Sequence, residues 1–323
     1  MSADFDAIGR DACLLRAGVV IKLLVAALAV SCGVSSLAAT PAPDVRTDDV
    51  DRFYRVYDDA RGQPSAAQLQ SGYLDPGSGA LHQFVVSRID NAAKLAAAVA
   101  KRPDAYAQAR TCLSALARTR SQLPAVFARM AEIHPASTFP PVTFVIGRDS
   151  TGGTTTPDGI VIGLETMCRM TVMGADVGDR FTHIVAHELA HVQQPASAVE
   201  PPPGATLLFQ SLLEGGAEFV AELTSGDVSY GHMKTWTRGK ECAIELAFQK
   251  DAPGTDVSHW LYNGFGTPDK PGDLGYWVGY RISRAYYAQA GDKKQAISDL
   301  LQVGNDSAPA ILQRSGWKPP TGC

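Results

Sequence analysis

The chain has 323 residues, of which 45% are hydrophobic and 19% charged, and its formal net charge is −4. That composition can bury a substantial core and excludes a disordered or fibrous chain. It carries no long basic block, so nucleic acid and an anionic membrane surface are not expected as partners.

At the N-terminus, Arg16 and Lys22 accompany an apolar run from Leu23 to Val30, which passes through small residues to Ser36-Leu37-Ala38-Ala39. Basic residues, a short apolar core and a small-x-small ending are the anatomy of a secretory signal peptide. Residues 1–39 are therefore expected to be a leader cleaved near Ala38, and the protein to be exported, periplasmic or secreted. The apolar run is too short for the about 20 residues of a bilayer-spanning helix. Ala29-Val30-Ser31-Cys32 loosely matches a bacterial lipoprotein cleavage site, which makes a lipid anchor at Cys32 the alternative. Asp4, Asp6 and Asp11 are unusual in a leader and point to a start further downstream. Removal of Cys13 and Cys32 leaves Cys112, Cys168, Cys242 and Cys323, an even number in an oxidising compartment. None has C-x-x-C spacing. Two disulfides are expected, with three connectivities open, and buried free thiols are the alternative.

Residues 40–47 form a proline-bearing linker. From Asp48 to about Pro135 apolar residues recur at three and four, so this part is expected to be helical, with Pro103 and Pro124 marking breaks or helix starts. The texture then changes. Val142 to Gly147 and Gly159 to Glu165 are β-rich runs flanking a turn-rich segment from Arg148 to Asp158. A helix is expected from about Asp179 to Gln194, then a proline-rich loop from Ala196 to Gly204 and a second helix from about Ala205 to Leu223. Further helices are expected over Met233 to Lys250, Leu274 to Ala290 and Lys293 to Leu301. The fold class is α+β, mostly helical, with a small sheet ahead of the Asp179 helix.

That helix contains His187-Glu188-Leu189-Ala190-His191, the pattern H-E-x-x-H. The two histidines are one turn apart on one face, so both imidazoles can reach one ion. Zinc lowers the pKa of a water it binds to roughly 7, and Glu188 beside the histidines is placed to take that water's proton. His183, two turns from His191, is expected to pack or to support the ligands rather than share the ion. A catalytic zinc needs a third protein ligand and an open fourth position. No histidine follows at H-x-x-G-x-x-H spacing; Gln194 and Ser197 stand there instead. The next helix offers Glu214 and Glu218, one turn apart in SLLEGGAEFVAEL. Two carboxylates on an apolar helix are costly unless they bind a cation or hydrogen-bond partners. Gly215 and Gly216 each cost ~1 kcal/mol mid-helix relative to alanine, which is easier to understand if two helices approach closely there. Glu214 is thus the expected third ligand, and Glu218 the acceptor that orients a ligating histidine.

HELAH followed by LLEGGAEF resembles the gluzincin metallopeptidases, among them the thermolysin-like enzymes and the zinc aminopeptidases, whose third ligand is a glutamate on a following helix. The chain is more similar still to a bacterial family of unknown function regarded as zinc-dependent proteases. That resemblance runs from about Asp48 to Arg314 and includes HPASTFPPVTFVIGRDSTGGTTTPDGIVIGLE and the stretch Leu274 to Ile282. It implies a single gluzincin-like domain over residues 48–315, with a helical N-terminal part, 48–135, and a catalytic part, 136–315. It further implies one Zn²⁺ per chain and a peptide or protein substrate. Gluzincins stabilise the developing oxyanion with a downstream tyrosine or histidine. Tyr276 is favoured for that role here, with Tyr280 on the same helical face as a substrate contact and Tyr230, His232 and His259 as rivals. In the zinc aminopeptidases a glutamate on a strand captures the substrate's amino group; Glu165 is the candidate, with a structural role in the turn after the strand as the alternative. Their G-x-M-E-N motif is only echoed in Gly163 to Met167, so endopeptidase action is preferred. A non-catalytic metal- or peptide-binding protein of this fold, and a metal-dependent hydrolase of non-peptide substrates, are the competing readings.

Overall fold

The β-rich runs pair into a small mixed sheet around which the helices gather. The computed structural model describes residues 42–196, 201–320 and 322–323. The expected leader, its cleavage near Ala38 and the alternative lipid attachment at Cys32 lie outside the described residues. Four strands form the sheet among the described residues: β1 (Val45–Arg46), β2 (Val142–Val145), β3 (Gly153–Thr156) and β4 (Gly159–Gly163), in the order β1-β2-β4-β3. β1, β2 and β4 run parallel, and β3 returns antiparallel to β4. Every residue of β2 and β4 is buried, because both faces of the sheet are covered. VTFV and GIVIG therefore read as continuous apolar runs without alternation.

Two sequence expectations are corrected here. The segment from Arg148 to Asp158 is not turn throughout: Gly153–Thr156 is the edge strand, and its three consecutive threonines suit an extended backbone. The strand ending at Gly163 lies between β2 and β3, so it has no free side to offer a peptide. The linker, too, contributes β1.

The N-terminal part holds α1 (Asp48–Asp59), α2 (Ala66–Leu69), α3 (Gly79–Phe84), α4 (Ala92–Lys101), α5 (Pro103–Ala109) and α6 (Leu116–Ile133). Pro103 opens α5, as a residue lacking an N–H can at the first helical position, whereas Pro124 sits inside α6. After the sheet come α7 (Leu164–Arg169), α8 (Val177–Val192), α9 (Leu207–Ser225), α10 (Met233–Trp236), α11 (Glu241–Asp251), α12 (Leu274–Gln289), α13 (Lys293–Leu301) and α14 (Ala308–Ser315). The helix expected over Met233 to Lys250 is broken between Trp236 and Glu241, where Gly239 takes a left-handed φ of 78°. Cys112 is bonded to Cys168 and Cys242 to Cys323. No helix of the described residues is long and apolar enough to cross a membrane.

Two helices carry the residues of interest. α8 starts where the Asp176 carboxylate accepts from the Asp179 N–H at 2.9 Å, three residues earlier than Asp179 itself would cap it. α9 is capped by Thr206 and ends at Gly226, whose φ of 90° gives the left-handed terminus that glycine adopts freely. It is apolar and buried nearly all round, which makes it the central helix. It crosses α12 so closely that a Cβ on Gly215 would strike the backbone of Gly279 and Tyr280, and one on Gly279 would strike the Ser211 carbonyl.

Candidate metal centre

α8 and α9 pack side by side and bring His187, His191 and Glu214 together, with one ligand atom of each within 4.8 Å of the others. Nε2 of His191 lies 2.9 Å from Nε2 of His187 and 3.2 Å from Oε2 of Glu214, and Nε2 of His187 lies 3.6 Å from the same oxygen. Zinc bonds of about 2.0–2.1 Å at tetrahedral angles place ligand atoms roughly 3.3 Å apart, so these three atoms are spaced as such an ion needs. The far side of each ring faces an acceptor, hydrogen-bonded to His191 and close to His187 without hydrogen-bond alignment. Nδ1 of His187 is 2.8 Å from Oε1 of Glu218, and Nδ1 of His191 donates to Oε1 of Gln194 at 2.6 Å. A proton on Nδ1 leaves Nε2 with a lone pair facing the cluster, the tautomer a metal ligand requires. Gln194 is itself fixed, since its Nε2 donates to the Leu213 carbonyl at 3.0 Å.

The electrostatics agree. Burial opposes charge on His187, yet Glu218 and Glu214 hold its pKa well above the usual imidazole value, and Glu214 lifts that of His191 against the same burial. Glu214 is buried too, but the two histidines bring its pKa far down. The carboxylates thus create a strongly negative potential at a buried point, which favours a cation there, a proton on the imidazoles or a metal ion in its place.

Glu188 is buried beside the histidines. Its Oε2 accepts from the Thr155 hydroxyl of β3 at 3.0 Å. A Cβ on Gly153 would come within 2.7 Å of its Oε1, so the edge strand lies directly over this carboxylate. The cluster opens into a cleft of about 450 Å³. Met167, Met170, Met173 and Ile184 contribute apolar lining, and Tyr230, Tyr262 and Tyr276 aromatic lining. Arg88 reaches the cleft from the N-terminal part.

The structure separates the remaining candidates. Tyr276 lines the cleft with its ring 6.5 Å from that of His187, stacked on Tyr230 at 4.8 Å. Burial, reinforced by Glu214, pushes its phenol well above the ordinary value, so it stays a proton donor. Tyr280 does not reach the cleft. The close crossing at Gly279 lies between the two tyrosines, and the Tyr280 hydroxyl donates instead to Glu222 at 2.7 Å. Glu165 is likewise remote from the cluster: it opens α7, and its Oε1 accepts from the backbone N–H groups of Gly147 and Asp149, both at 3.0 Å. It braces the turn after β2 and offers no carboxylate to a substrate in the cleft. Tyr230 is committed to Asp273 at 3.1 Å, His232 sits among Tyr230, Trp236 and Phe265, and His259 is exposed. His183 bonds Ser225 at 2.6 Å, away from the cluster. Gln194, Thr155, Tyr262 and Arg88 escaped the sequence reading. Of these only Gln194, three residues beyond the second histidine on the same helix, had a positional signal.

Residues 142–306 match a family described as "Predicted Zn-dependent protease (DUF2268)". That is just over half of the chain and holds every residue of the cluster. The chain belongs to this family. No curated protein and no solved structure matches it. Arg88 and the rest of the N-terminal helices lie outside the segment that the family match covers.

Proposed function

We propose that the protein is a gluzincin-like zinc peptidase, with one Zn²⁺ held by His187, His191 and Glu214. The convergence of three ligand atoms, with Gln194 bonded to Nδ1 of His191 and the Glu218 carboxylate 2.8 Å from Nδ1 of His187, is the observation that carries this reading. Zinc bound there would supply a Lewis acid that makes a water acidic near neutral pH. Glu188, steadied by Thr155, takes the proton of the attacking water and delivers it to the leaving amine. Tyr276 donates its phenolic hydrogen to the carbonyl oxygen as negative charge develops. Glu218 and Gln194 hold the two rings in the ligating tautomer.

A peptide is the substrate this cleft suits best. β3 is an edge strand with one neighbour, and an extended chain can pair with its free side directly above Glu188. With Glu165 turned away into the sheet, the reading favours internal cleavage over capture of a free amino group. A structural metal site would have no use for a buried carboxylate beside an open cleft. The paired disulfides suit an exported enzyme. Metal analysis of the purified protein together with a peptide-library assay tests the proposal. One equivalent of zinc and cleavage abolished by Glu188→Gln are expected, and a metal-free protein or a fully active E188Q would overturn it.

A further inference from the structure

The metal group and its cleft are lined by carboxylates, histidines, tyrosines and apolar residues, with one guanidinium among them, that of Arg88. Its setting is specific. Nη2 donates to the Thr154 hydroxyl on β3 at 3.2 Å, and its backbone carbonyl accepts from Nε of Arg148 at 2.9 Å. Arg88 belongs to a π-helical turn, Val85–Ile89, closed by Asp90 at a left-handed φ of 74°. Such turns insert a residue and re-aim a side chain, and a non-glycine residue at positive φ costs energy that something else must offset.

What Arg88 lacks is a counter-ion. Among the described residues it pairs with no carboxylate, whereas Arg52 pairs with Asp49, and Arg102 and Arg169 both pair with Asp149. Nor is it remote from the chemistry. It lines the same cleft as His187, Glu188 and Glu214, and as Tyr262, whose hydroxyl rests on Glu214. Arg88 is exposed at the rim of the cleft, so its charge is solvated and free to pair with an anion that enters beside the metal site.

We propose that Arg88 anchors a carboxylate of the substrate, so that the preferred peptides carry a negative charge close to the scissile bond. This rests on the peptidase reading and names the class of peptide it acts on. The register follows from the strand. Thr155 touches Glu188, and Thr154, the next residue, touches Arg88; successive residues of a strand face opposite sides about 3.3 Å apart. A peptide paired along β3 therefore presents a group to Arg88 within one or two residues of the carbonyl that faces Glu188. Either a free C-terminus or an Asp or Glu side chain supplies that group. The anchor comes from the N-terminal helices, outside the segment that the family match covers.

The test uses the zinc-loaded full chain carrying E188Q, with fluorescent peptides in matched pairs: free acid against C-terminal amide, and internal Glu against Gln. Anisotropy should show the charged member of at least one pair binding about three- to fivefold tighter at low salt, the upper end for an ion pair at a solvated rim. The advantage should shrink in high salt, vanish in R88Q and survive in part in R88K. An advantage in the first pair assigns the chain end, and one in the second the side chain. Equal binding of charged and neutral members, an advantage that persists in R88Q, or no binding of any member overturns the inference. Cleavage by the unsubstituted enzyme is scored separately. Hydrolysis without charge preference would sink the Arg88 anchor and leave the peptidase standing; charge-selective binding without hydrolysis would do the reverse.

Discussion

The hydroxyl of Tyr262 donates to Oε1 of Glu214 at 3.0 Å, which leaves Oε2 as the oxygen facing His187 and His191. Tyr262 adopts a left-handed φ of 59°, a conformation that costs a non-glycine residue about 1–2 kcal/mol. The loop is held in place regardless, because the Asp273 carboxylate accepts from the N–H groups of Asn263 and Gly264 at 2.8 and 3.2 Å. If Glu214 ligates zinc as proposed, the bond constrains it to do so through one oxygen. Tyr262→Phe keeps the ring and removes the bond, so zinc affinity should fall by about tenfold, the lower end for groups that orient ligands. Competition with a fluorescent chelator measures this, and unchanged affinity would reduce Tyr262 to a cover over the cleft.

The ligand set makes a graded prediction. Alanine at His187, His191 or Glu214 should abolish stoichiometric zinc, whereas Glu188→Gln should retain the metal and lose cleavage, because it removes a base and no ligand. Glu218→Gln and Gln194→Ala should each weaken zinc by about 10- to 100-fold, since each loosens one imidazole. Metal loss in E188Q would mean that Glu188 is itself a ligand, and normal affinity in both E218Q and Q194A would mean that the ring orientations are set elsewhere.

How much of this was legible beforehand depends on range. His187 with His191, and Glu214 with Glu218, are one-turn pairs, so helical geometry alone puts each pair on one face. Gly215, an expensive residue in a helix core, does mark a close crossing, but it is that of α9 with α12 and not the meeting of α9 with α8. Directions that depend on a crossing were not legible. Tyr276 and Tyr280 are equivalent by spacing, and only the contact at Gly279 sends one to the cleft and the other to Glu222. Glu165 follows an apolar strand in sequence, but backbone N–H groups of the neighbouring turn claim it. β3 was hidden by Gly152 and Gly153 at its start, which read as turn although Gly153 pairs with β4. Arg88 reaches the cleft from about a hundred residues upstream of His187, a juxtaposition no local pattern encodes.

The two adjacent glycines of α9 should behave oppositely. A Cβ on Gly216 would meet nothing closer than 3.7 Å, so Gly216→Ala should be tolerated and should stabilise by up to about 1 kcal/mol through helix propensity. A Cβ on Gly215 would collide with the α12 backbone, which cannot yield as a side chain could. Gly215→Ala should cost about 3 kcal/mol or more, on the scale of strong overpacking, and should displace Glu214 next to it. Thermal unfolding of the two variants decides the matter; equal melting temperatures would show that the helices can part without cost.

Glu165 should leave a signature in the pH dependence of stability. Burial pushes its carboxyl up to about 7, even though the N–H groups of Gly147 and Asp149 favour the charged form. Because the folded-state pKa lies above the unfolded one, folding favours the protonated acid. Its contribution is complete below about pH 4.5, the ordinary glutamate value, and is lost as pH rises through about 7. A shift of that size corresponds to about 3 kcal/mol, at 1.36 kcal/mol per pKa unit. Glu165→Gln keeps an oxygen for both N–H groups but cannot ionise, and it buries an extra N–H₂ where Oε2 now has no partner. The variant should therefore be less stable than the parent at pH 5, by about 1–3 kcal/mol for an unpaired donor. The gap should narrow as pH rises, because only the parent pays for ionisation. Denaturant unfolding of both zinc-saturated proteins between pH 5 and 8 measures the difference in slope, in which the titrations they share cancel. Parallel profiles would show that Glu165 keeps one protonation state across this range.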